Sequence, residues 1–132
     1  SAVSLGCEHL QGKDYKTVKS VIDAALETGI NYLDVFMSEP NVRTNIGRAL
    51  EGRREKVMIQ GHIGSCWVNG QYKVSRDINE CVTYFEDLLT RLQTDYIDVG
   101  FSVISIGDVL VHLFTTIVIV CVIAKCNQRK GN

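Results

Sequence analysis

An excess of charge of either sign is the first thing this sequence does without. Its 132 residues carry 14 Lys and Arg against 15 Asp and Glu, a formal net charge of −1. So even a balance excludes a general nucleic-acid or polyanion role, which needs a one-signed field. Paired cysteine spacing is missing as well. The five cysteines are odd in number, and Cys7, Cys66 and Cys81 are scattered with no CxxC and no metal-ligand spacing. This argues against a disulfide framework or a metal centre, and for a reduced, cytoplasmic chain. The amino end, Ser1-Ala2-Val3-Ser4-Leu5-Gly6, has no basic region ahead of a long apolar run, so it does not read as a signal peptide. Beginning without methionine, the chain reads as a fragment or a processed product. Strong internal repeats and low-complexity linkers are absent. The single proline, Pro40, fits an early helical position, where no amide donor is required. What remains is a chain of ordinary composition, one domain long and large enough to bury a core.

What is present is organised around Gly29-Ile30-Asn31-Tyr32-Leu33-Asp34. Asp14 predicts an N-cap, and Val18, Val21, Ile22, Ala25 and Leu26 step by three and four, which gives a helix one buried stripe. Gly29 suits the left-handed residue that ends such a helix. Ile30 to Leu33 is short, apolar and strand-forming, and it delivers Asp34 to a strand's carboxyl end. In parallel α/β proteins chemistry is placed there. Spacing alone favours a plainer role for Asp34, capping the loop that follows.

The same grammar repeats. Val3 to Gly6 predicts a first strand. Pro40 to about Leu50 predicts a second helix with Ile46 and Leu50 inward, stopped by Gly52. Arg53-Arg54-Glu55-Lys56 reads as a solvated charged turn. Val57-Met58-Ile59 predicts a third strand running into Gly61-His62-Ile63-Gly64, and two glycines three apart read as a tight turn, not a phosphate loop. A polar loop with Trp67, Gly70 and Tyr72 follows. The longest helix is then expected, N-capped by Ser75, with Ile78, Cys81, Val82, Phe85, Leu88, Leu89 and Leu92 at helical spacing. Tyr96-Ile97-Asp98-Val99 predicts a fourth strand. The order β-α-β-α-β-α-β, with helices as crossovers, predicts parallel strands.

After Val99 the chain changes character. Val109 to Ala124 is nearly all apolar, broken only by His112, Thr115 and Thr116, and Lys125, Arg129 and Lys130 follow. Sixteen such residues fall short of the roughly 20 that span a bilayer, although the basic flank suits a cytoplasmic end. A buried segment is the favoured expectation, and membrane association through 109–124 the alternative.

The stretch from Ala24 to Gly64 resembles the aldo/keto reductases, NADPH-dependent, carbonyl-reducing (β/α)8 barrels. The residues that carry the likeness are Ala25-Leu26-Glu27-Thr28-Gly29-Ile30-Asn31-Tyr32-Leu33-Asp34, Ile46-Gly47-Arg48-Ala49-Leu50, Gly52-Arg53-Arg54-Glu55-Lys56-Val57 and Asp95-Tyr96-Ile97-Asp98. The resemblance covers about the first hundred residues, less than half of a barrel of about 250. It implies a partial (β/α)8 fold over 1–100, with about four parallel strands and their helices, and an apolar tail over 101–132. It implies NAD(P)H-linked reduction of aldehydes or ketones as the family activity, on a small carbonyl substrate.

The family works with an aspartate, a tyrosine, a lysine and a histidine. Asp34 matches the aspartate. Glu39 stands at the tyrosine's place, five residues on; His62 stands at the lysine's place, six past Lys56; Val103 stands where the histidine should close the fourth strand. The implied catalytic set is therefore Asp34, Glu39 and His62, with Glu39 donating a proton if burial keeps it protonated and His62 serving as the cation. The family's phosphate clamp comes from later strands, so NADP(H) is expected not to bind this chain alone. The loss of likeness after Gly100 implies a truncated or altered reading of a longer gene, weakly active or inactive. A half barrel leaves strand edges and an apolar face uncovered, so self-association, or a non-enzymatic interaction role, is the rival expectation.

Overall fold

The computed structural model describes residues 1–102. Its centre is a four-stranded parallel sheet in the order β1 (Ser4–Gly6), β2 (Tyr32–Val35), β3 (Met58–Ile63), β6 (Val99–Ser102). Three helices connect these strands: α1 (Tyr15–Glu27), α2 (Pro40–Ala49) and α3 (Ile78–Leu92). A two-stranded antiparallel hairpin, β4 (Ser65–Val68) and β5 (Gln71–Val74), is inserted between β3 and α3. This is the partial (β/α)8 architecture that the resemblance implies, with the parallel strands that the alternation of strand and helix signals predicts.

Local chemistry accounts for most boundaries. Asp14 caps α1, its carboxylate accepting from the Thr17 amide at 2.8 Å. The helix ends in a Schellman motif: Gly29, at φ +84°, donates to Leu26 O and Ile30 N donates to Ala25 O. Val18, Ile22 and Ala25 are buried as the stripe predicts, and Pro40 begins α2. The core lies between sheet and helices, where Leu33, Val35 and Ile59 meet Val18, Ile22, Ile46, Leu50, Leu88 and Leu92. Gly47 is where α2 and α3 touch: a Cβ there would stand 2.2 Å from the Arg91 carbonyl oxygen.

Several expectations are corrected. The stretch with Trp67, Gly70 and Tyr72 is a hairpin and not a loop. Asn69 and Gly70 both adopt positive φ, the pair a type I′ turn demands, and Trp67 pairs with Tyr72 across the ladder. The α3 cap is Asp77, which accepts from the Asn79 and Glu80 amides; Ser75 instead accepts from Asp77 N. The second and fourth strands begin later than expected, at Tyr32 and Val99. The charged turn is a 3-10 turn in which Arg53 and Arg54 fold back: Arg53 onto Asp23 and Ala49 O, Arg54 onto Val57 O, Thr94, Tyr96 O and Asp98. Ile78 and Val82, at 74% and 51% exposure, lie outside the core. Val103 and the apolar stretch Val109 to Ala124 lie outside the described residues. Among the described residues, no helix is long and apolar enough to cross a membrane.

Candidate active site

Side chains alternate along a strand, so β2 and β3 each offer one face to the helices and one to the opposite side of the sheet. Leu33, Val35, Ile59 and Gly61 take the helix side and are buried. Tyr32, Asp34, Gln60 and His62 therefore share the other face, with Asp34 in register with Gln60. Asp34 and His62 lie near the carboxyl ends of adjacent parallel strands. Their side chains meet: His62 Nε2 is 2.8 Å from Asp34 Oδ1, the imidazole 14% and the carboxylate 32% exposed. A half-buried pair of this kind is shielded from solvent enough for its attraction to count.

The surroundings are aromatic on one side and polar on the other. Phe36 stands edge-on to the His62 ring with centroids 4.9 Å apart, and Tyr72 of the hairpin leans on Phe36 at 5.4 Å. Tyr32 Oη lies 2.5 Å from the Gln60 amide, whose other end is 3.2 Å from His62 Nε2. Gln60, Tyr32, Phe36 and Tyr72 were not singled out as site residues from sequence. The first two could have been found by extending the period-2 face of each strand from Asp34 and His62.

Glu39 is placed differently. It is the N-cap of α2, with one carboxylate oxygen on the Asn41 amide at 3.0 Å and the other on the Val42 amide at 2.7 Å. The structure thus joins Asp34 to His62, and ties Glu39 to its own helix. Between them lies Met37, whose carbonyl accepts from Arg43 Nε at 2.9 Å. Arg43 is buried, with its Nη1 lacking a hydrogen bond among the described residues and 3.8 Å from Asp87. Burial pushes this guanidinium down to about 10, still charged at neutral pH. Cys7, whose amide donates to Asp34 O, is no nucleophile: burial, then the Asp34 charge, pushes its thiol up to about 12.

A nucleotide cofactor can be tested against these residues. A pyrophosphate needs glycines whose open backbone it can approach. Gly61 instead makes room for Ile97 and Leu88, and Gly64, at φ +88°, sits against Ser75 O. These two glycines serve packing and a turn, not the approach of a phosphate. Nor do three metal-ligating side chains converge among the described residues.

Comparison with known proteins places the arrangement. The family model described as "Aldo/keto reductase family" matches residues 2–103. The chain is 36% identical over 105 residues to the uncharacterised oxidoreductase YqkF of Bacillus subtilis, covering 74% of this chain and 33% of that protein. Aldo-keto reductase AKR11C1 of Bacillus halodurans, in its holo form, superposes with a TM-score of 0.67 at 30% identity, over 76% of this chain and 35% of that one. A Klebsiella pneumoniae aldo-keto reductase solved in complex with NADPH shares the fold at 18% identity and a TM-score of 0.58, over 75% of this chain and 34% of that one. The chain spans about a third of the length of the relatives it matches.

Proposed function

The chain belongs to the aldo/keto reductase family, and from that premise we propose that it forms the substrate-facing amino-terminal part of an NAD(P)H-dependent reductase of small aldehydes or ketones. The observation that carries this reading is the Asp34–His62 hydrogen bond at the carboxyl ends of β2 and β3. Reducing a carbonyl places negative charge on its oxygen, and a hydrogen-bond donor or cation held there lowers the barrier. In this reading His62 is that group, and the Asp34 carboxylate, 2.8 Å from its Nε2, orients the ring. Phe36 and Tyr72 wall the same space with apolar surface, which suits a small organic carbonyl.

Glu39 occupies the place of the family's proton donor, and in this proposal it is the weakest member of the set. To deliver a proton its carboxyl would have to leave two amides that start α2. The family cofactor is NADP(H); with Gly61 and Gly64 given to packing and a turn, this reading has the described part of the barrel bind it poorly on its own. Two measurements test the reading. NADPH fluorescence should show no saturable quenching at micromolar cofactor; quenching abolished by Asp34→Ala would overturn the poor binding. Millimolar short-chain aldehyde should shift the amide resonances of Asp34, Phe36 and His62; shifts confined to other regions would overturn the site.

A second reading has its own observation. Ile63, Ile78, Cys81, Val82, Phe85 and Leu89 line an open apolar groove along α3. Such a surface serves association as readily as it serves a missing part of a barrel.

A further inference from the structure

Phe36 follows β2 by one residue and keeps the parity of Asp34, so its ring falls on the site face and meets His62. What holds that ring comes from the hairpin. β4 and β5 form a sheet of their own, with no ladder to β2 or β3 among the described residues. Two serine hydroxyls make the connection instead. Ser65 Oγ donates to the Phe36 carbonyl at 2.9 Å, and Ser38 Oγ donates to the Cys66 carbonyl at 2.6 Å. The bonds cross: a hairpin hydroxyl serves the loop after β2, and a loop hydroxyl serves the hairpin. Both serines are 1% exposed, so water competes little for these bonds. A further bond fixes the hairpin to α3, where Tyr84 Oη donates to the Trp67 carbonyl at 3.2 Å. Held in this way, the hairpin brings Tyr72 against Phe36, and Tyr72 is the exposed end of the row His62, Phe36, Tyr72.

We propose that Ser38 and Ser65 are positioning residues, a crossed clasp that fixes the hairpin to the loop after β2 and so holds Phe36 against His62. The proposal rests on the reading of the Asp34–His62 face as the site, and adds what gives that face its apolar wall. A buried carbonyl needs a donor, and that need alone accounts for a hydroxyl on either side. It does not account for the carbonyl that Ser65 takes, which belongs to the residue whose ring meets His62. Phe36 is thereby fixed at its backbone by Ser65 and at its ring by Tyr72, two residues of one hairpin. Met37 is held as well, its carbonyl taken by Arg43 Nε at 2.9 Å, so each residue from Phe36 to Ser38 is bonded. A wall fixed in advance lowers the cost of ordering it when a ligand binds. Loss of the clasp should free the Phe36 ring and leave the Asp34–His62 pair in place.

The test reads the His62 ring by NMR, since it lies within reach of the Phe36 ring current. The ring hydrogens of His62 are followed through a pH titration, and the shifts at its two plateaus separate a moved neighbour from a changed protonation state. His62→Asn assigns the signal among His9, His62 and His112. Phe36→Leu gives the plateaus with the neighbouring ring removed. Ser38→Ala together with Ser65→Ala should move both plateaus at least halfway from the parent toward the Phe36→Leu values. Exchange of the hairpin amides should quicken about tenfold while α1 amides keep their rate, the effect of a lost buried hydrogen bond on local opening. Plateaus that stay at the parental values would overturn the proposal whether or not the hairpin opens, because a clasp that holds only the hairpin positions nothing at the site. Where the double variant does not fold, Tyr72→Ala decides. That side chain is 41% exposed, and its loss should again move the His62 plateaus toward those of Phe36→Leu. Unchanged plateaus there would show that the hairpin does not hold Phe36, and would overturn the proposal. No readout uses cofactor, carbonyl or turnover. An aldehyde that leaves Asp34, Phe36 and His62 unperturbed removes the reductase site, and these shifts still decide the clasp.

Discussion

The Arg54 guanidinium reaches Asp98 at 2.9 Å and stacks over the Tyr96 ring at 4.2 Å, so the turn before β3 is clamped to the segment before β6. The same carboxylate oxygen of Asp98 accepts from the Ile59 amide at 2.8 Å. One arginine and one aspartate thus hold together two of the four stretches by which the family likeness is read.

The clamp makes a pH prediction. Burial works to raise the Asp98 carboxyl, but the Ile59 amide and the Arg54 guanidinium outweigh it and hold it below its usual 3.8. A carboxyl depressed in the folded state contributes stability that is complete above the unfolded value and is lost as pH falls through the folded one. Asp98→Asn should therefore lower the melting temperature at neutral pH and flatten its acid decline. Thermal melts of both proteins, from neutral to strongly acidic pH, check this; parallel curves would show that other carboxylates govern the acid limb.

Gly47 offers a sharper steric test. With a Cβ facing Arg91 O at 2.2 Å and Leu92 Cα at 2.8 Å, Gly47→Ala must push α2 away from α3. Helix propensity favours alanine by about 1 kcal/mol, but backbone cannot give way as a flexible side chain can. Overpacking at such contacts costs about 1–3 kcal/mol or more. Urea unfolding should place Gly47→Ala below the parent, whereas at exposed Ser20 of α1 an alanine should be nearly neutral.

Glu39 separates a structural role from a chemical one. As the cap of α2, its removal in Glu39→Ala should cost about 1 kcal/mol. Glu39→Gln keeps one acceptor for the helix amides and should recover part of that loss. If any carbonyl reduction is measurable, Glu39→Gln should leave it near the parental rate. A rate abolished by Glu39→Gln with stability intact would restore Glu39 as the proton donor.

Much of this fold is legible from residue spacing because its signals are local. Asp14, Gly29 and Pro40 act within one turn of the chain, and the α1 stripe needs only a period. The hairpin was legible too: Asn69-Gly70 between alternating apolar positions is a turn with a mechanism, and reading Trp67, Gly70 and Tyr72 as loop residues overlooked it. The α3 cap went to Asp77 over Ser75 because both are capping types two residues apart, and only the entry angle of the chain decides. The roles of Arg54 and Arg43 were hidden for a different reason. A charged residue, in a turn as Arg54 or on a helix as Arg43, looks solvated unless its partner is known, and their partners Asp98 and Asp87 lie 44 residues away in sequence. The Asp34–His62 pairing needed only the parallel register; the position of Gln60 between Tyr32 and His62 needed side-chain geometry.

The exposed face of α3 carries the last prediction. Ile78 is 74% exposed and Val82 51%, on a helix whose opposite side is fixed in the core by Leu88 and Leu92, and Ile63 at the end of β3 beside it is 38% exposed. Apolar side chains gathered in one groove favour association at roughly 25 cal/mol per Å² covered. Substituting Ile78→Lys and Val82→Lys together should leave stability within about 0.5 kcal/mol if the groove faces solvent, since exposed positions tolerate change. The same pair should weaken self-association of the parent, seen in sedimentation velocity as a lower weight-average coefficient at high concentration. Parent and variant sedimenting identically would remove α3 as an interface. A variant that unfolds would show instead that these side chains are needed for the fold, and would remove α3 as a free surface.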